Sequence, residues 1–262
     1  MSDNLVSVII PVYNREEFIL KTLDSVYNSD YRPIELVLID DGSSDKSFEI
    51  IKNYQQKKNA VDFKIIAQKQ INKGAPAARN YGYSLSSGDF IQFLDSDDLI
   101  ESNKFSIQIK NSQSLKADFM LCDFIMKYIP SGTTVYHSNA ARIKKILKTH
   151  GSFGCGSPLI LRKLADKVKW NEKLNRNQDV DYFQKAALLA DTLIYIEKPL
   201  YIYLRHDQER ISNIYTKSNP VYLERIKSLL IIFPLKSNKI YLIIAILNLF
   251  MSHLKYKLKF KL

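Results

Sequence analysis

Phe90-Ile91-Gln92-Phe93-Leu94-Asp95-Ser96-Asp97-Asp98 runs from an apolar stretch straight into three aspartates. The apolar part reads as a short buried strand, which places the carboxylates at its carboxyl end, the edge where open α/β sheets bind ligands. Two ionised carboxylates ~4 Å apart repel by roughly 4 kcal/mol at an effective dielectric of about 20, so such a cluster calls for a cation. Oxygen ligands suit a hard divalent ion, Mg²⁺ or Mn²⁺, shared with phosphates. A competing reading makes Asp98-Leu99-Ile100-Glu101 a helix start, with Asp98 as N-cap and Glu101 completing a capping box.

Moving outward, the N-terminal hundred residues alternate strand and helix signals. Strand runs fall at 6–12, 34–39, 63–67 and 90–94, and helical spacing at 18–27, 48–54 and 75–85. Continuous apolar strands, each followed by a polar turn and a helix, predict an α/β fold with a mostly parallel sheet flanked by helices. Beyond residue 103 the pattern loosens: strands are expected at 117–128, 133–137, 193–196 and 200–204, and helices at 159–168 and 179–190. Without a repeat or low-complexity linker, 1–212 reads as one unit whose halves, 1–105 and 106–212, meet near residue 105.

The 262 residues suffice for one large domain with an appendage, and 46% hydrophobic content fits a globular core. Two cysteines, Cys122 and Cys155, suggest neither a disulfide framework nor a metal-ligand spacing. The Met1-Ser2-Asp3-Asn4 start lacks a basic n-region, so a cytoplasmic location is expected. The net charge of +11 is concentrated at the end: nine Lys/Arg and one acidic residue lie in 217–262. A basic body would suggest nucleic acid, whereas a basic, apolar tail over 213–262 suggests an anionic membrane surface. Its apolar run 240–251 is twelve residues long, short of the ~20 that span a bilayer. The alternative is a C-terminal helix packed on the domain.

Four polar clusters follow the four apolar runs: Tyr13-Asn14-Arg15-Glu16, Asp40-Asp41-Gly42-Ser43-Ser44-Asp45, Asn72-Lys73-Gly74 with Arg79-Asn80, and Asp95 to Asp98. On parallel strands all four would share one rim. Carboxylates for an ion and Arg79 for phosphates are what a nucleotide diphosphate and its metal require. Asp40 reads as a turn residue, and Asn14 and Glu16 read equally well as helix caps.

Ser7-Val8-Ile9-Ile10-Pro11-Val12-Tyr13-Asn14, the Asp40-Asp41-Gly42-Ser43 turn, Asn72-Lys73-Gly74 through Ala78-Arg79-Asn80-Tyr81-Gly82, and the Asp95-Ser96-Asp97-Asp98 cluster, in this order, resemble family 2 glycosyltransferases of the GT-A fold. The resemblance implies an inverting transfer of a sugar from a nucleotide-sugar donor, with UDP favoured, to a glycan or lipid-linked acceptor of a cell-surface polysaccharide. It implies a base pocket from Pro11, Val12, Tyr13 and Asp41, with Asp41 accepting from uracil, and Arg79 near the diphosphate or donor sugar. Asp95 and Ser96 would lie on the donor, and Asp97, helped by Asp98, would hold Mn²⁺ or Mg²⁺ in the manner of a DXD motif.

The family carries a Glu-Asp pair at the start of a late helix. Here the place reads Asn177-Gln178-Asp179-Val180-Asp181, so Gln178 replaces the Glu while Asp179 remains as the implied base, with Asp181 in reserve. A helix N-terminus favours the anion. Arg205 and His206 occupy the place of a loop that closes over the donor, where either would contact the diphosphate, although a charged surface loop accounts for them equally well. A non-catalytic nucleotide-sugar-binding module recruiting partners through its tail is the alternative, and Gln178 is its argument. A nucleotidyltransferase would want a glycine-rich loop where Pro11-Val12-Tyr13-Asn14 stands.

Overall fold

A computed structural model describes residues 4–140 and 153–206, and within them a nine-stranded sheet organises the chain. Strands β1 (Val6–Val12), β2 (Ile34–Asp40), β3 (Phe63–Lys69) and β4 (Phe90–Phe93) form where the apolar runs predict. They are parallel, in the order β3-β2-β1-β4.

Every residue of β1 and β2 is buried, because helices cover both faces and strand alternation feeds two cores. Val6, Val8, Ile10, Leu36 and Leu38 pack with Ile19, Leu23 and Val26 of α1 (Ile19–Tyr27) and with Ile51 and Tyr54 of α2 (Ser47–Lys58). Ile9, Val37 and Ile39 face the other way, toward Ala78 of α3 (Ala75–Leu85).

The remaining strands are β5 (Leu99–Ile100), β6 (Phe119–Tyr128), β7 (Thr134–His137), β8 (Leu159–Leu161) and β9 (Leu193–Arg205). The sheet continues from β4 as β8-β6-β9-β5, with β7 on β6. From β8 onward it is mixed, since β8 runs antiparallel to both neighbours while β6 and β9 are parallel. Helix α4 (Lys104–Leu115) adds Phe105 and Ile109 to the first core, and α6 (Gln178–Leu189) adds Tyr182 and Phe183 to the second.

Three expectations are corrected. No helix starts at Asp98, because Leu99 and Ile100 pair with Ile202 and Tyr201, and the next helix begins at Lys104. The stretch 159–168 is strand β8 followed by the short helix α5 (Arg162–Ala165). The two strands expected between 193 and 204 are one, with its register on β6 shifting around Asp123, which faces Pro199; a proline in a strand is tolerated at such an irregularity. The expected tail, 213–262, lies outside the described residues.

Candidate active site

The parallel strands deliver their carboxyl ends to one rim, where the loop after β1 is fastened to the loop after β2. Asp41 N–H donates to the Val12 carbonyl (2.7 Å). Asn14, in the left-handed region at φ 50°, donates from its N–H to Ser43 Oγ (3.0 Å) and accepts from Ser44 N–H (2.9 Å). Glu16 accepts from Lys46 N–H (2.9 Å) just ahead of α2. Asn14 and Glu16 therefore secure the turn that leads into α2; the N-cap residues of α1 and α2 both lack a side-chain cap. Asp40 is the turn residue, accepting from Ser43 N–H (3.0 Å).

Pro11 and Val12 are buried in β1, while Tyr13 leaves the sheet 47% exposed. Beside it Asp41 is buried and accepts from Lys73 N–H (2.9 Å), Gly74 N–H (2.8 Å) and Gln70 Nε2 (2.7 Å). A carboxylate has about four acceptor positions, so one remains for a ligand donor. Gly74 turns the chain into α3 at φ +87°, a conformation glycine adopts without steric cost.

Arg79 rises from α3 into the middle of the rim, 5% exposed. Its Nη2 donates to Asp95 Oδ1 (2.6 Å) and its Nη1 to Gln178 Oε1 (3.2 Å). The guanidinium lies over Trp170 (4.3 Å), which stacks on Tyr182 (4.4 Å, 9°). Gln178 is oriented by its own amide, which donates to the Leu174 carbonyl (3.0 Å). Cys155 is buried beside Arg79 and Asp95; burial, then the charge of Asp95, pushes its thiol well above the usual range, so it stays protonated. Asp95 keeps its side chain 33% exposed, whereas Ser96 is buried and its carbonyl accepts from Thr22 Oγ1 of α1 (3.0 Å).

Asp97 Oδ2 meets Arg15 Nε (3.3 Å) and His206 Nε2 (2.9 Å). The His206 ring stacks on Phe18 (4.2 Å, 19°), and its buried Nδ1 has no hydrogen-bond partner among the described residues. Asp98, expected to help Asp97 hold the ion, turns inward. It is 1% exposed, with one oxygen accepting from Tyr201 Oη and the other from Leu204 N–H (3.0 Å). Burial, then the charges of Asp97 and Asp95, raises its pKa well above the carboxylate range. It is an internal anchor for β9.

Among the described residues no three His, Cys, Asp or Glu side chains cluster as a metal cage. The Asp97 carboxylate nevertheless fits Mn²⁺ or Mg²⁺ of the kind that completes its shell with substrate phosphates and water, whereas the His206 imidazole beside it is a donor for softer ions.

Asp179 lies in the first turn of α6, half-buried, and its charge acts on Arg79 and Cys155. Asp181 is fully buried and ion-paired with Lys185 (2.9 Å), closed to an acceptor. Arg205 points away from its neighbour His206: it is exposed, with its guanidinium over the Tyr128 ring (5.8 Å). Sequence reasoning assigned no role to Arg15, Cys155 or Trp170. Arg15 sits inside one of the polar clusters, and Trp170 is the sole tryptophan of the chain.

A mixed sheet whose parallel rim gathers Asp41, Arg79, Asp95 and Asp97 is the arrangement of the GT-A fold. The chain belongs to glycosyl transferase family 2, whose sequence model matches residues 7–170. It is 29% identical over 232 residues to glycosyltransferase GlyA of Streptococcus pneumoniae, covering 82% of this chain and 32% of GlyA. It is 30% identical over 227 residues to the putative glycosyltransferase EpsH of Bacillus subtilis, covering 79% of this chain and 62% of EpsH. The chain thus spans from just under a third to just under two thirds of these relatives' length. Among solved structures it resembles S. aureus TarS 1–349 in complex with UDP-GlcNAc, with a TM-score of 0.71 and 24% identity over 87% of this chain and 66% of that one. That likeness establishes the fold.

Proposed function

We propose that this chain transfers a sugar from a nucleotide-linked donor, UDP-linked in the first instance, to a glycan or lipid-linked acceptor of a bacterial surface polysaccharide. The observation that carries this reading is the bridge made by Arg79, which joins Asp95 at the end of β4 to Gln178 at the start of the helix bearing Asp179. Donor contacts and an acceptor-side carboxylate are thereby held against one another. The UDP-GlcNAc bound by TarS and the glycosyltransferase names of GlyA and EpsH support the substrate class.

In this reading Tyr13 covers the base, with Pro11 and Val12 beneath it, and Asp41 offers its remaining acceptor position to the ring. Arg79 and Asp95 orient the donor sugar, and Asp97 would hold Mn²⁺ or Mg²⁺, with His206 beside it. That ion, when bound, offsets the charge growing on the departing diphosphate. Asp179 takes the proton of the acceptor hydroxyl as the new glycosidic C–O bond forms and the bond from the anomeric carbon to the phosphate oxygen breaks, with inversion. The 106–212 half supplies the acceptor side. The tail, 213–262, rests on an anionic membrane; among the described residues no helix is long and apolar enough to cross one.

Asp179→Asn tests the assignment. Transfer should fall by about 10²–10⁴-fold while calorimetry finds UDP binding unchanged. Full transfer activity in a folded Asp179→Asn protein would remove Asp179 from the mechanism.

A further inference from the structure

The carboxylate assigned to the ion already carries a positive charge from the chain itself. Arg15 places Nε 3.3 Å from Asp97 Oδ2, the oxygen that also meets His206. The guanidinium is held there: Nη1 donates to the Asn14 carbonyl (2.8 Å) and to the Tyr13 carbonyl (3.4 Å). The left-handed turn at Asn14 accompanies this double acceptance, and Arg15 N–H is fixed on Ser47 Oγ (2.7 Å). The Arg15 side chain is 19% exposed and that of Asp97 13%, so solvent screens the contact only in part.

We propose that Arg15 is the resident cation of the metal-binding carboxylate, so that a divalent ion binds well only together with the nucleotide. The proposal rests on the reading of Asp97 given above. An ion arriving alone on Oδ2 would stand beside the guanidinium, cation against cation. A diphosphate changes the balance, because its negative charge faces both the ion and the guanidinium and offsets the repulsion between them. The position of Arg15 thus imposes an order of binding in which the free ion is excluded and the ion with its diphosphate is admitted.

Mn²⁺ titration followed by electron paramagnetic resonance, without and with UDP, tests this on the full chain and on Arg15→Met and Arg15→Lys. Without nucleotide, Arg15→Met should bind Mn²⁺ about tenfold more tightly than the parent, and Arg15→Lys, which keeps the charge, should match the parent. Equal Mn²⁺ affinity of parent and Arg15→Met overturns the proposal, as does Arg15→Lys binding as tightly as Arg15→Met. Absence of Mn²⁺ binding in all three proteins even with UDP would instead overturn the assignment of the ion to Asp97.

Discussion

Gln178 holds a buried cation with a neutral oxygen, and this substitution in the Glu-Asp pair has a measurable counterpart. Removing the acceptor with Gln178→Leu leaves Arg79 Nη1 short of its partner in a buried setting, at a cost of ~1–3 kcal/mol. For a chain of this size each kcal/mol moves Tm by roughly 2–4 °C, so scanning calorimetry should record a fall of several degrees. Gln178→Glu restores an acceptor with charge assistance and should keep Tm near that of the parent. Single residues divide sharply in how far the sequence exposed their roles. The positions of Asp95 and Asp97 just past β4 were legible from motif order, as was that of Arg79 in the helix that follows Asn72-Lys73-Gly74. The fate of Asp98 was not, because adjacent carboxylates on an irregular loop face different ways, and the group that receives Asp98, Tyr201, is more than a hundred residues away. Arg205 and His206 repeat the lesson: neighbours in sequence, they diverge to Tyr128 and to Asp97.

At the scale of elements, β9 depends on a close approach that only a bare backbone permits. A Cβ on Gly156 would fall within the Tyr201 ring, and one on Gly154 would come within 2.9 Å of it. Gly156→Ala must push Tyr201, and with it β9, off Asp98; overpacking of this kind costs ~1–3 kcal/mol. Thermal denaturation should show the loss, and Tyr201→Phe, which deletes the phenol oxygen but keeps the ring, should not relieve it. The parallel strands were legible because burial on both faces makes them unbroken apolar runs between polar turns. The elements after residue 98 were less so. Leu99 and Ile100 look like the first turn of a helix until Tyr201 and Ile202 arrive to pair with them. In the same way 159–161 has the apolar content of either a helix or a strand, and its partners in β4 and β6 decide.

For the whole molecule, ligand linkage joins the rim to global stability. A ligand that binds only the folded chain adds ~2.7 kcal/mol at a hundred times its Kd. UDP with Mn²⁺ should therefore raise Tm more than UDP alone, and Asp97→Asn should erase the increment due to Mn²⁺ while keeping that due to UDP. An Mn²⁺ increment that survives in Asp97→Asn would place the ion elsewhere.

The buried anchor at Asp98 bears on how such a chain can be recombined. The carboxylate next to Asp97 clasps Tyr201 and Leu204, and two residues beyond Leu204 comes His206, the partner of Asp97. The interval from 95 to 98 and the interval from 201 to 206 therefore form one packed unit, although about a hundred residues separate them. A hybrid that takes its first hundred residues from one parent and the rest from another would carry mismatched halves of that clasp. Exchanging both intervals together, or neither, is the rule the geometry sets for making chimaeras from this chain.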